Sequence, residues 1–246
     1  MNIRESSVGA RKSRRPNARR PRKRRGLLRK ILLFPVALVG GYYALCTLLL
    51  LLYTFVFPPF TGVQIQRRIE SFFEDEPYRK VYVPVSGDKI SDHLKHAAIA
   101  AEDGRFYEHG GIDWEAVRQA VQDNQERGRT WRGGSTITQQ LAKNLFMTTH
   151  RSIIRKGAEV PLTYLTELIL TKDRILVLYL NVVEFDRGVY GAEAAAQHHF
   201  NTSASKLTRR QAASLAAVLP NPRNRSPHRM GNYTNTILRR MSAMGY

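Results

Sequence analysis

Residues 133–144 read GGSTITQQLAKN. Two glycines and two hydroxyl residues end a loop, and the apolar positions after them recur at helical spacing. Ile137, Leu141 and Leu145 fall on one stripe, four residues apart. This predicts a helix from Ser135 or Thr136 to about Met147 with the stripe buried. Gln139, Gln140 and Lys143 fall off the stripe and are expected to face outward. Ser135 and Thr136 sit on the turn at the helix N-terminus, where free N–H groups and the helix dipole favour an anion or a sugar hydroxyl. A glutamine carries donor and acceptor in one group, which suits a sugar hydroxyl. A capped surface helix with no ligand fits this stretch about as well.

Helical periodicity continues on both sides. Upstream, Ser91 is placed to cap a helix reaching about Asp103, with Leu94, Ala97, Ala98 and Ala101 inward. Asp113 is placed to cap the next, with Trp114, Val117 and Val121 on one face and Gly128 near its stop. Downstream, helices are expected over about 152–170, 172–181, 191–200 and 208–219. Thr208 and Gln211 make the Thr-x-x-Gln pattern of a capping box. Pro220, Pro222 and Pro227 close that run, and a short helix starts near Tyr233. Only Tyr78–Val85, rich in β-branched and aromatic residues, reads as a strand. The fold class is mainly α, without internal repeats.

Two further stretches carry chemistry. Glu102 ends the run AAIAAED, near the negative end of a helix and against an alanine-rich face; both raise a carboxyl pKa and suit proton transfer. An exposed helix-end acid is the plainer reading of Glu102 alone. Arg151, Arg155 and Lys156 come after the Gly-Ser-Thr turn, with Glu159 four residues after Arg155 on one helical face. Such a cluster suits a diphosphate, or forms a solvated salt-bridging face.

The chain has 246 residues and a formal net charge of +19. Residues 1–30 hold 13 Lys+Arg against the single acid Glu5, so +12 of that charge lies in the first 30 residues. Residues 31–57, ILLFPVALVGGYYALCTLLLLLYTFVF, carry no charge. As a helix they would rise roughly 40 Å, against about 30 Å of bilayer hydrocarbon. That is too long for a cleaved signal peptide. The cations before the span keep the N-terminus cytoplasmic and export the rest of the chain. The expected organisation is a basic cytoplasmic tail (1–30), a transmembrane signal anchor (31–57), a membrane-proximal segment (58–90) and a catalytic domain (91–246). Within the segment, Val63, Ile65, Ile69, Phe72 and Phe73 make an amphipathic stretch placed to rest in the membrane interface. Topology and anionic lipid account for the basic tail without nucleic acid. A single Cys excludes an internal disulfide, and the common zinc and nucleotide-binding motifs are absent.

Taken together, residues 99–113 (IAAEDGRFYEHGGID), 133–144, 155–159 (RKGAE), 175–181 (ILVLYLN) and 188–200 (GVYGAEAAAQHHF) resemble, in order, the five motif regions of the family 51 glycosyltransferases. Residues 207–222 are similar to the family's next run. These are peptidoglycan polymerases, found alone or as the glycosyltransferase domain of class A penicillin-binding proteins. Length and single anchor resemble the monofunctional peptidoglycan transglycosylases of Gram-negative bacteria.

The resemblance implies a lysozyme-like glycosyltransferase domain that joins C1 of a growing, lipid-linked glycan strand to the 4-OH of the next lipid II. The anomeric centre inverts and undecaprenyl diphosphate leaves. It places the domain at the periplasmic face of the cell inner membrane, with lipid II, the glycan strand, membrane lipid and other cell-wall synthesis proteins as partners. By the same resemblance Glu102 is the general base. Glu159 is a second catalytic glutamate, near the diphosphate or a metal. Lys143, Arg151, Arg155 and Lys156 serve the diphosphate. Ser135, Thr136, Gln139, Gln140 and Asn144 contact sugar and diphosphate. No cofactor is required by the sequence; a divalent cation, magnesium or manganese, often assists in this family.

Two departures bear on local geometry. Pro161 falls inside the helix of the third motif, where it is expected to kink it. His198-His199 stand where the family has a bulkier or aromatic residue. The competing function is a lysozyme-like lytic transglycosylase or hydrolase, which needs no diphosphate site. A membrane-tethered nucleic-acid binder and an idle cell-wall scaffold are the others.

Overall fold

The computed structural model describes residues 22–74, 77–127, 134–150 and 152–246. The chain divides into two units, Met1–Tyr42 and Tyr43–Tyr246. In the first, the described residues belong to helix α1 (Arg22–Tyr53), which contains Pro35. Its Leu33, Phe34, Val36, Leu38 and Val39 are exposed. Leu33–Tyr53, 21 residues with mean hydropathy 2.0, is long and apolar enough to cross a membrane.

The second unit is mainly α. Its core takes in Cys46, Leu50 and Tyr53 from the last turns of α1. The helix stops at Tyr53, short of the expected Phe57, because two things end it. Pro58-Pro59 cannot continue a helix. The Arg174 side chain also caps the end, Nε donating to the Tyr53 carbonyl at 2.8 Å and Nη2 to that of Val56 at 2.7 Å. The same guanidinium lies 4.6 Å over the Phe57 ring.

Helix α2 (Gly62–Glu70) starts at the N-cap Thr61, whose hydroxyl accepts from Gln64 N–H. A 3-10 turn, Ser71–Phe73, comes next. Phe60, Ile65, Ile69, Phe72 and Phe73 are exposed, as the amphipathic reading expects. Val63 is not part of that face: it is buried with Gln64 and Gln66, on the side of α2 that packs against α5 (Ile137–Phe146).

Helix α3 (Asp92–Glu102) is capped by Ser91. It packs against α9 (Arg209–Ala216) and α10 (Gly231–Ala243). Ala97, Ala98, Ala212, Ala213 and Ala216, all buried, form the small-residue side of that contact. The Thr208–Gln211 capping box forms at the head of α9. Asp113 Oδ1 accepts from Ala116 N–H at 2.8 Å and starts α4 (Trp114–Arg127), on which Trp114 and Val121 remain exposed.

Helix α5 is central: α2, α6 (Ile153–Ile169) and α7 (Lys172–Val182) all pack on it. Pro161 lies inside α6 without dividing it. Four residues earlier stands Gly157, exposed and without a side chain, so water can reach the carbonyl that loses its donor.

A three-stranded sheet is legible in the sequence only in part. β1 (Val81–Tyr82) runs parallel to β3 (Val189–Tyr190), and β2 (Glu184–Asp186) pairs antiparallel to β3, with an irregularity between Glu184 and Asp186. The β2–β3 turn uses Gly188 at φ +77°, which glycine adopts without steric cost. Helix α8 (Ala192–Phe200) comes after the hairpin, with His198 and His199 in its last turn. The His199 side chain is only 6% exposed, and that enclosure pushes its imidazole down to about 4, so it is neutral at pH 7.

Candidate active site

Glu102 is the last residue of α3, where the chain leaves the helix into a loop. Its Oε2 accepts from Gln140 Nε2 at 2.6 Å. Gln140 Oε1 in turn accepts from the Tyr179 hydroxyl at 3.0 Å, and Tyr179 is fully buried on α7. A neutral relay therefore runs from α7 through α5 to the carboxylate. Burial raises the Glu102 pKa; the Gln140 bond and the charges of Lys143 and Arg225 oppose that rise, and Asp103 adds to it. Enclosure rather than the helix dipole is the main cause.

Asp103 fixes the loop after α3. It is buried. One oxygen accepts from Ile137 N–H, the first amide of α5, at 2.9 Å. His109 Nε2 contacts the other at 2.9 Å. The carboxylate thus satisfies an orphan helix N–H and ties the loop to the head of α5. Arg105 and Asp113 close the loop with a two-point ion pair.

At the head of α5, Thr136 and Gln139 form a reciprocal capping box. Thr136 also donates to the Gly111 carbonyl. Both residues are buried. The outward placement expected of Gln139 is therefore corrected: it occupies the third helical position, and its Oε1 accepts from Thr136 N–H at 3.0 Å. Asn144 is buried too, donating to the Gln140 carbonyl at 2.8 Å. Thr136, Gln139 and Asn144 shape the helix on which Gln140 and Lys143 stand.

The Lys143 ammonium has no hydrogen-bond or ion-pair partner among the described residues; its carbonyl accepts from Met147 N–H at 2.9 Å. Burial lowers its pKa, Arg155 and Lys156 lower it further, and Glu159 and Glu102 pull it back up. It lies electrically between the two glutamates. Glu159 is buried in α6, with Arg155 Nη1 on one oxygen and Lys156 Nζ on the other, each at 2.6 Å. Lys156 also donates to Ser135 Oγ at 3.1 Å, and Arg155 Nε to the His150 carbonyl at 2.7 Å. Arg151 lies outside the described residues.

Glu159 does not fit a metal ligand in this arrangement. Both its oxygens hold cationic side chains, and it belongs to no group of three or more potential ligand residues among the described residues. A divalent ion would have to displace Arg155 or Lys156 to reach Glu159.

Of the residues singled out from sequence, the fold brings Glu102, Gln140 and Lys143 together, and Ser135, Arg155, Lys156 and Glu159 beside them. Sequence reasoning missed Asp103, Tyr179 and Arg225. The first comes directly after Glu102 in an acidic pair, a readable signal; the other two reach the site through tertiary packing alone.

The site thus sets a largely enclosed carboxylate near a cluster of cationic side chains, in a mainly α-helical domain that comes after a membrane-length helix. Residues 67–244 match the family described as Transglycosylase. The chain is 51% identical over 186 residues to a biosynthetic peptidoglycan transglycosylase of Pseudomonas fluorescens (strain SBW25), covering 75% of this chain and 77% of that one. It is 47% identical over 211 residues to the protein of that name from Pseudomonas syringae pv. syringae, covering 85% and 88%. It is 50% identical over 192 residues to that of Bordetella pertussis, covering 74% and 79%. The chain belongs to the transglycosylase family.

Proposed function

We propose that the protein is a peptidoglycan glycosyltransferase that polymerises lipid II. The growing strand, held by its lipid diphosphate, is the donor; lipid II is the acceptor. Glu102 takes the proton of the acceptor 4-OH as that oxygen attacks C1. The bond from C1 to the diphosphate oxygen breaks, and its electron pair leaves with undecaprenyl diphosphate. Attack opposite the leaving group inverts C1. Lys143, Arg155 and Lys156, with Arg151, take up the diphosphate charge, the kind of fixed stabilisation that carries much of catalysis. A diphosphate leaves well without protonation, so one base and a cation cluster suffice.

The observation that carries this reading is the pairing of Glu102, its pKa raised by burial, with Lys143, whose ammonium has no partner among the described residues. A carboxylate lifted toward neutral accepts a proton in the transition state, and an unpartnered cation is available to an anion. Membership of the transglycosylase family supports the same assignment.

The active domain belongs at the periplasmic face of the inner membrane in this reading. The charge asymmetry across the apolar helix supports that orientation. So does an apolar cleft of about 490 Å³ whose lining includes the exposed Phe60, Ile65 and Ile69, with Arg68 and Lys80 also present. Apolar side chains beside cations suit the headgroup boundary of an anionic bilayer, where a lipid-linked substrate resides.

The test is incubation of the purified full-length protein with lipid II, and separately with purified cell wall. Glycan strands from lipid II, with release of undecaprenyl diphosphate, are expected. An enclosed glutamate also suits a general acid that cleaves glycan. Soluble fragments from cell wall, without polymer from lipid II, would replace the polymerase by that reading.

A further inference from the structure

Away from Glu102, three side chains converge without bonding one another. Asp186 ends β2, and His198 and His199 lie in the last turn of α8. Asp186 Oδ2 is 3.5 Å from His198 Nε2 and 3.7 Å from His199 Nε2. All three donor atoms lie within 4.8 Å of one another. Hydrogen bonds to oxygen run about 2.7–3.2 Å, so neither contact is one. A tetrahedral zinc ion with donors about 2.0–2.1 Å away sets those donors roughly 3.4 Å apart, close to the two distances found.

The surrounding bonds hold the donors in that arrangement. His199 Nε2 is buried and has no hydrogen-bond partner, although its side chain is only 6% exposed. The Phe185 main chain lies close enough to the ring to favour its charged form, against the effect of burial. An imidazole nitrogen without a hydrogen bond is open to a metal ion, and histidine is the commonest metal ligand. Asp186 is oriented by its neighbour: Oδ1 accepts from Arg187 N–H at 2.7 Å, which leaves Oδ2 to the imidazoles.

We propose that Asp186, His198 and His199 form a binding site for a divalent transition metal of the zinc type, fastening the β2–β3 hairpin to the end of α8. Two imidazoles and one carboxylate select such borderline ions; magnesium and calcium prefer oxygen throughout. Three protein ligands leave a fourth position for water. His228, its ring 6.2 Å from that of His199, is the nearest further imidazole of the cluster's ring contacts. The hairpin also carries Glu184, paired at 3.3 Å with Arg67 of α2, so the ion would tighten a chain of contacts reaching from α8 to α2.

Cobalt(II) titration of the chelator-treated full-length protein in detergent tests this, because tetrahedral cobalt absorbs visible light strongly. One equivalent is expected to bind with a tetrahedral spectrum, to be displaced by zinc, and to raise the melting temperature. Asp186→Asn and His198→Ala change partly exposed side chains, and circular dichroism checks that both fold. Each should weaken binding by at least the roughly 10- to 100-fold that loss of an outer partner costs, and should abolish the melting shift. Absence of binding by the parent, or binding equally tight in both folded variants, would overturn the proposal.

Discussion

Glu102 at the end of α3 and Glu159 in α6 are both enclosed carboxylates, yet their partners differ in kind. Among the described residues, Glu102 has a neutral amide, Gln140, as its hydrogen-bond donor. Glu159 has a cation on each oxygen. Burial disfavours the charged form of any carboxyl. At Glu102 nothing of full charge is bonded to cancel that, and the pKa rises. At Glu159 the two ion pairs absorb the charge and in return hold Arg155 and Lys156 in place. Burial alone therefore does not assign a role: the neutral partner leaves a carboxylate able to take a proton, and the charged partners make one that organises cations.

The sharpest way to break this contrast is Glu102→Gln, which keeps shape and hydrogen bonding but cannot accept a proton. Turnover of lipid II should fall roughly 100- to 10,000-fold. Stability should move the other way. A carboxyl with a raised folded-state pKa costs stability as pH rises through that pKa, and glutamine never ionises. The variant should melt at or above the parent's temperature at pH 7, and the gap should close as pH falls into the ordinary carboxylate range. A variant that polymerises at the parental rate would remove Glu102 from the mechanism.

Lys143→Ala comes next. Truncating a charge that pairs with a buried substrate group is worth about 2–5 kcal/mol. The loss should appear in kcat/KM for lipid II, with little change in melting temperature, since no described partner is stranded. Unaltered kcat/KM would return Lys143 to a merely solvated face.

Glu159→Gln should behave as loss of an organiser. Two charged hydrogen bonds weaken, costing about 1–3 kcal/mol of stability, read by chemical denaturation. Substrate affinity should suffer more than the chemical step. A fall in single-turnover rate as large as that of Glu102→Gln, with stability unchanged, would mean that the two glutamates share the proton chemistry.

The smallest effect is expected of Tyr179→Phe. Gln140 Oε1 loses a donor, at about 0.5–1.5 kcal/mol. A less polarised amide donates more weakly to Glu102, so the carboxyl pKa should rise further. The acid limb of the rate profile should then move to higher pH. An unmoved limb would show that the relay ends at Gln140.

Much of this is legible in the sequence because it is local. The caps at Ser91, Asp113 and Thr208 and the periodic stripe 137–141–145 place most helices within a few residues. Gln139 is misplaced by its periodicity although Thr136-x-x-Gln139 is the same pattern as Thr208-x-x-Gln211: an off-stripe position argues for the surface, and the capping bond overrides it. The β2–β3 hairpin escapes because strands of two and three residues carry no readable alternation. Val63 falls on the other face because an apolar residue beside a membrane-facing stretch has two places to go, and only the packing of α5 decides. Tyr179 reaches Glu102 through Gln140 from a distant part of the chain, and no spacing rule connects them.

The cap that Arg174 places on α1 bears on whether the enzyme could be shed. A tethered domain is released when a protease finds an exposed, loosely held stretch between anchor and body. Here the stretch after Tyr53 is fastened along its length. Arg174 grips the carbonyls of Tyr53 and Val56, the Tyr82 hydroxyl donates to the Pro58 carbonyl at 2.8 Å, and Thr61 is buried as a cap. A cut just after Tyr53 would also part Leu50 and Tyr53 from the core in which they are buried. The described stretch from Tyr53 to Thr61 thus gives a protease little loosely held chain, and a cut there would cost the domain part of its packing.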